Sequence, residues 1–319
     1  MTLYLRPSEP TALIQPYPFC QDPPFLLFVV LSAVKNTQER IAIRRSWGQW
    51  ANTRVSGVSI DKIETSQDSK IPVSPFVHPT QLTRLIFLLG KSPGPVPLSE
   101  SVLEESRLYE DMVIEDFIDS YTNLTLKTVF MLKWVHHNCP TVKFVMKVDD
   151  DIFVNALNLE LSLLNETIAR TPLLLGSLIC GARPIHDQWS KWYTPKYMFR
   201  EGKYPNYLSG TGYVVSGDII EPLLKAALST EYFHLEDVFL TGLCAKAIGV
   251  HAKDHIGFSY QPRAVSPCLY KEVIMGHKVA PPEMTRLWNM MNQPSRLAKC
   301  HSVQKSRLRS YGPTKCSWR

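Results

Sequence analysis

Apolar residues fall along this chain in two alternating rhythms. Continuous apolar runs occur at residues 25–34 (PFLLFVVLSA), 84–90 (RLIFLLG), 112–117 and 143–148. Runs of this length, bounded by polar residues, predict strands buried on both faces. Between them the apolar positions recur at helical spacing. The segment Thr37–Trp47 sets Ile41 and Ile43 among Arg40, Arg44 and Arg45. Ser99–Tyr109 has Ser99 as a candidate N-cap and Glu residues near its start, and Leu124–His137 carries Leu126, Val129, Phe130, Leu132 and Trp134 on one helical surface. Strands alternating with helices predict an α/β fold with a mostly parallel sheet layered between helices. In such sheets ligands bind beyond the carboxyl ends of the strands.

The second half is less regular. Residues 173–180 predict another strand, and a helix is expected near 217–228. Ser209–Tyr213 (SGTGY) reads as a small-residue turn leading into Val214 and Val215. Residues 52–82, rich in Ser, Thr and Pro, read as a mobile insert in the domain spanning 25–300. Residues 1–24 read as a polar, proline-rich tail, and 301–319 as a basic one.

Chemistry concentrates at the end of one predicted strand. Lys147-Val148-Asp149-Asp150-Asp151 follows an apolar run and precedes Ile152-Phe153-Val154. Carboxylates beside a core are costly unless a positive group meets them. Asp149 and Asp151 are two apart, so extended backbone points both to one side. Two hard oxygen donors there suit Mn²⁺ or Mg²⁺ with a phosphate; a turn of solvated acids is the alternative. A second acid pair, Glu236-Asp237, stands before the apolar Val238–Leu240, either as functional carboxylates or as an N-cap pair.

Composition narrows the class. The chain has 319 residues, 45% of them hydrophobic and 20% charged, enough for a large core. Its formal net charge of +6 comes without a Lys/Arg run interleaved with aromatics, which argues against nucleic acid as a partner. The seven cysteines include no C-x-x-C pair, so a zinc cluster is not expected, and their odd number leaves one thiol without an internal partner. Sequons at Asn123 and Asn165 point to an oxidising lumen. No stretch reaches the roughly 18 apolar residues of a membrane span.

Seven ordered blocks carry a resemblance. KVDDDIFVN resembles the metal-binding D-x-D segment of nucleotide-sugar glycosyltransferases. ERIAIRRSWG, FLLGK, DFIDSYTNLTLKT, KWYTPKYMF, YPNYLSGTGYVVS and HLEDVFLTGLC resemble, in order, blocks of the β-1,3-galactosyltransferases and their β-1,3-N-acetylglucosaminyltransferase relatives. The resemblance runs from about Cys20 to Cys300 and implies a GT-A fold: a Rossmann-like, mostly parallel sheet joined to an acceptor-binding part. It further implies inverting, metal-dependent transfer of galactose from UDP-galactose to the 3-hydroxyl of an acceptor glycan, with UDP-GlcNAc as the alternative donor. A non-catalytic glycan-binding homologue is a third reading.

The same resemblance implies roles for particular residues. Asp149, Asp151 and His277 would hold Mn²⁺ or Mg²⁺. Asp237 would be the base, with Glu236 as substitute or support. Arg40, Arg44, Trp47, Lys127, Asp149, Asp150, Gly210 and Gly212 would contact the UDP-sugar; for Arg40 and Arg44 the alternative is an exposed helix face. Trp192 and Tyr193 are candidates to stack on a sugar or to pack under a loop. Disulfide connectivity stays open in the sequence, with Cys20–Cys139 and Cys244–Cys268 as candidate pairs. The family places such enzymes in the Golgi lumen as type II membrane proteins, although no anchor is visible in this chain. Leu208 stands where many relatives have cysteine.

Overall fold

The computed structural model describes residues 1–17, 19–52, 82–94, 97–169, 172–301, 303 and 308. The expected insert at 52–82 and the basic tail after residue 300 therefore lie almost wholly outside the described residues.

The five predicted runs join three further strands in an eight-stranded sheet. Its strands are β1 (Ala12–Ile14), β2 (Leu26–Leu31), β3 (Thr83–Lys91), β4 (Met112–Ile118), β5 (Phe144–Asp149), β7 (Leu174–Ile179), β8 (Tyr207–Ser216) and β9 (Lys253–Asp254), in the spatial order β1-β4-β3-β2-β5-β8-β7-β9. A small second sheet pairs β6 (Ile152–Val154) with β10 (Met275–His277). Strands β4, β3, β2 and β5 run parallel, whereas β8 is antiparallel to both neighbours. All six residues of β2 are buried, which is why it reads as an unbroken apolar run.

The chain winds from β2 outward to β3 and β4, then returns to add β5 on the other side of β2. The carboxyl ends of β2 and β5 therefore border the point where the winding reverses, the place such sheets reserve for ligands. Leu31 pairs with Asp149 there.

Helices cover both faces. Leu27, Val29 and Val145 face one layer, where helices Leu124–Asn138 and Ile220–Ser229 supply Val129, Leu132, Leu223 and Ala227. Phe28, Val30 and Met146 face the other, against helices Thr37–Arg44 and Pro281–Met291 with Ile43, Met284 and Leu287. This is the mixed α/β architecture implied by the sequence blocks.

Several expectations need correction. Ser209–Tyr213 is no turn but the middle of β8. Glycine is accepted there because the space beside Gly210 and Gly212 is already taken: an added Cβ would meet Glu236 Oε2 at 3.0 Å and Met275 Sδ at 3.0 Å respectively. Ser99 precedes helix Glu100–Tyr109 as expected, yet its hydroxyl bonds that of Ser101 instead of a helix amide. The first 24 residues are built into the fold. Leu5 is buried, β1 pairs with β4, and the Lys133 ammonium donates to Leu5 O and Thr11 Oγ1 at 2.7 Å each. Cys20–Cys139 forms as expected, but Cys268 pairs with Cys300, leaving Cys244 as a buried free thiol inside the core. Cys180 is disulfide-bonded as well.

Candidate active site

Strand β5 delivers Lys147 and Asp149 to one side, and the turn after it carries Asp150 and Asp151. The strand period of two that aligns Asp149 also aligns Lys147 behind it, so the positive group demanded by the acids comes from the same strand. The Lys147 ammonium donates to Asp149 Oδ1 at 2.7 Å and to the carbonyl of Gly210 on β8, and lies 3.8 Å from Glu236 Oε2. Burial opposes its charge, but Asp149 and Glu236 together hold its pKa above that of an ordinary lysine. Burial pushes the Asp149 carboxyl up despite this contact.

The second acid pair lies on the same side of the sheet. Glu236 is buried and accepts from the Tyr213 hydroxyl at 2.6 Å; burial raises its pKa to about 7. Asp237 is only half-buried. Its Oδ1 accepts the Val238 amide at 2.9 Å, at the start of a π-helical segment Val238–Cys244, and its Oδ2 accepts the Gly210 amide at 3.2 Å. Asp237 thus caps the segment that follows it, and burial raises the pKa of its carboxyl.

The β6–β10 pair brings His277 to the acid cluster. Antiparallel pairing sets His277 opposite Ile152, and its Nε2 lies 3.4 Å from Asp151 Oδ2. Its Nδ1 sits 2.7 Å from the carbonyl of Tyr260, which can only accept, so Nδ1 carries the proton and Nε2 faces Asp151. Burial works against a charge on His277, but the hydrogen bond and charge of Asp151, the Tyr260 carbonyl and the Asp149 charge together outweigh it, so its pKa is raised. Among the described residues no group of three metal-donor side chains converges. Asp151 and His277 come together; Asp149 turns one oxygen to Lys147 instead. That corrects the expected three-ligand set, because a buried ammonium satisfies Asp149 first.

The residues expected to contact the nucleotide separate into two groups. Asp150 is at the site: its Oδ2 accepts from Asn36 Nδ2 at 2.9 Å, and Asn36 follows β2 at the winding reversal. Lys127 reaches the same edge, with its ammonium bonded to Asp119 Oδ2 and Ser32 O at 2.6 Å each, and burial lowers its pKa. Arg40 and Arg44, by contrast, spend their donors inside the protein. Arg40 makes a two-point contact with Glu105 at 2.7 and 2.6 Å, together with bonds to Ser32 Oγ, Ala33 O and Thr37 Oγ1. Arg44 grips Asp111 through two bonds of 2.8 Å and lies over the Tyr109 ring at 3.9 Å. Both arginines are buried, neither on an exposed helix face nor open to a ligand. Trp47 is buried against Phe28, and its indole donates to Ile152 O at 3.0 Å, bracing the strand that follows the acids. Gly210 and Gly212 make room for Glu236 and Met275. Trp192 is about half exposed, beside Tyr121, which feels the Asp237 charge.

Lys147 and Tyr213 were not singled out from sequence. Lys147 carried a readable signal, its two-residue offset from Asp149 in a strand. Tyr213 carried none, since its partner Glu236 lies 23 residues away.

Carboxylates at the winding reversal of an α/β sheet, with a second acid pair on the same side, stand where such sheets bind their ligands. The galactosyltransferase family model matches residues 38–255. β-1,3-Galactosyltransferase 1 of mouse and of human are each 40% identical to this chain over 275 residues, covering 86% of it and 76% of their own length. The mouse UDP-GlcNAc:betaGal β-1,3-N-acetylglucosaminyltransferase 7 is 32% identical over 285 residues, 86% of this chain and 66% of its own. A solved glycosyltransferase involved in glycosylation of the PBCV-1 major capsid aligns over 84% of this chain with a TM-score of 0.39 at 11% identity. The chain belongs to the galactosyltransferase family, and it is an enzyme of that type.

Proposed function

We propose that this protein transfers galactose from UDP-galactose to the 3-hydroxyl of an acceptor glycan, with inversion at the anomeric carbon. The carrying observation is the linkage of Asp237 and Asp149 through Gly210 and Lys147 on the same side of the sheet, within a family whose 40%-identical relatives bear the name β-1,3-galactosyltransferase. Inversion requires one base on the face opposite the leaving group. Asp237 is the accessible member of the acid pair, and its raised pKa makes it a stronger base toward the acceptor hydroxyl than a solvated aspartate. Glu236, enclosed by Tyr213 and Lys147, orients the pair and does not meet the acceptor.

Asp151 and the Nε2 of His277 fit a divalent cation as a carboxylate–imidazole pair, with water and diphosphate oxygens completing the shell. Such an ion would neutralise charge gathering on the departing UDP. Asp150, held by Asn36, and Lys127, held by Asp119, shape the edge where the nucleotide would lie. The disulfides and sequons fit a Golgi lumenal setting. No helix among the described residues is long and apolar enough to cross a membrane.

The test uses purified protein, Mn²⁺ and a panel of UDP-sugars, with UDP release measured with and without galactoside and glucosaminide acceptors. UDP-galactose is expected to support acceptor-dependent release. Asp237→Asn is expected to lower kcat about 10²- to 10⁴-fold, the usual range for a general base, while UDP affinity and melting temperature stay near wild type. Transfer surviving in Asp237→Asn refutes the assignment of the base. A preference for UDP-GlcNAc moves the enzyme to the N-acetylglucosaminyl side of the family.

A further inference from the structure

Lys147 lies where β5, β8 and the Glu236-Asp237 pair meet, yet it touches neither bulk water nor, by position, a substrate. It is 2% exposed. Its ammonium meets three different segments: it donates to Asp149 on its own strand and to the Gly210 carbonyl on β8, and it forms a 3.8 Å ion pair with Glu236 before the π-helical segment.

The link to Gly210 matters most. The same residue whose carbonyl accepts from Lys147 donates its amide to Asp237 Oδ2 at 3.2 Å. Residue 210 is glycine, with Glu236 Oε2 3.0 Å and Asp237 Cβ 3.4 Å from where a Cβ would stand. The strand at this point is thus pressed against the acid pair, and its orientation is set from behind by the Lys147 ammonium. Asp237 has only one other fixed bond from a backbone amide outside itself, at Val238, which holds Oδ1. The aim of Oδ2 depends on Gly210.

We propose that Lys147 is a positioning residue: through the Gly210 backbone it aims the Asp237 carboxylate at the acceptor. This rests on the assignment of Asp237 as base. It predicts a defect confined to the transfer step. A carboxylate displaced by about 1 Å costs on the order of 100-fold in rate, whereas donor binding at the other edge of the cleft is spared.

Lys147→Met, which keeps the length and removes the charge, tests this by two readouts. The first is kinetic: kcat for transfer is expected to fall about 100-fold, with the KM for UDP-galactose within about threefold of wild type. The second does not depend on activity: amide hydrogen exchange in the Tyr207–Ser216 strand is expected to quicken around Gly210 while the neighbouring strands keep their protection. Unchanged exchange at Gly210, or a kcat within threefold of wild type, overturns the proposal. If Lys147→Met does not fold, Lys147→Ala prepared with n-propylammonium decides the matter. Activity restored by the ammonium but not by 1-propanol supports a positioning charge, and equal restoration by both makes Lys147 packing alone. Failure of the wild type to transfer any sugar would instead refute the proposed reaction, and the exchange measurement would still judge the Lys147–Gly210–Asp237 linkage.

Discussion

At the scale of single residues, the site is an exercise in charge balance. Three carboxylates, Asp149, Glu236 and Asp237, share one buried ammonium, so burial is not fully offset and their pKa values rise. Glu236 shows the consequence for stability. Its folded pKa of about 7 exceeds the model-compound value of 4.5, so between those values the native state holds a proton that the unfolded state has released. The stabilisation is fully present below about pH 4.5 and is lost as pH rises through about 7. Wild type should therefore lose stability relative to Glu236→Gln across that window, by up to about 1.4 kcal/mol per pH unit. Urea unfolding of both proteins at pH 5, 6 and 8 measures it; parallel profiles would remove the burial argument for Glu236. The arginines illustrate the reverse case. Arg40 and Arg44 looked like ligand contacts because sequence shows a charge but not its partner, and Glu105 and Asp111 lie 65 and 67 residues away respectively.

At the scale of elements, the short β6–β10 pair does work out of proportion to its three-residue strands. It seats His277 beside Asp151, and its own packing depends on Gly276. A Cβ at that position would collide with the hydroxyl and ring of Tyr270, which is buried and stacks edge-on against Phe153 of β6. Gly276→Ala is expected to destabilise the protein by roughly 1–3 kcal/mol, as overpacked cores do, and to weaken Mn²⁺-dependent UDP binding by moving His277. Thermal melting and calorimetric titration of UDP with Mn²⁺ check both halves. His277→Ala separates them, with weaker binding at nearly unchanged melting temperature. Wild-type Mn²⁺-dependent UDP binding should also weaken as pH falls through the raised His277 pKa, because metal requires the neutral imidazole. The same measurement on His277→Ala should lose that pH dependence.

At the scale of the whole molecule, Cys20–Cys139 and Cys268–Cys300 fasten segments far apart in the chain. Cys20–Cys139 closes 119 residues and ties the N-terminal segment to the end of helix Leu124–Asn138, and Cys268–Cys300 closes 32 residues behind β10. Chain entropy assigns such loops about 3–5 kcal/mol each. Replacing Cys20 and Cys139 together with serine should lower unfolding free energy by about 2–5 kcal/mol, yet leave UDP binding at low temperature intact, since the cross-link lies away from the acid cluster. A variant with unaltered stability would show that Lys133 and β1 hold the N-terminal segment without help.

The order of strands and helices from β2 to β5, the buried character of those strands and the acid cluster at a strand end were legible in the sequence. Periodicity is a local property, and a strand or helix displays it within about ten residues. The ordered blocks likewise named the family. What only the tertiary structure decided was pairing: Cys268 with Cys300, Arg40 with Glu105, Tyr213 with Glu236, and Lys147 with three segments at once. Burial lowers the tolerance for an unpartnered charge, so each buried ion takes whichever partner the packed sheet brings within 3–4 Å. That choice depends on distances between residues far apart in the chain, and no local pattern encodes it.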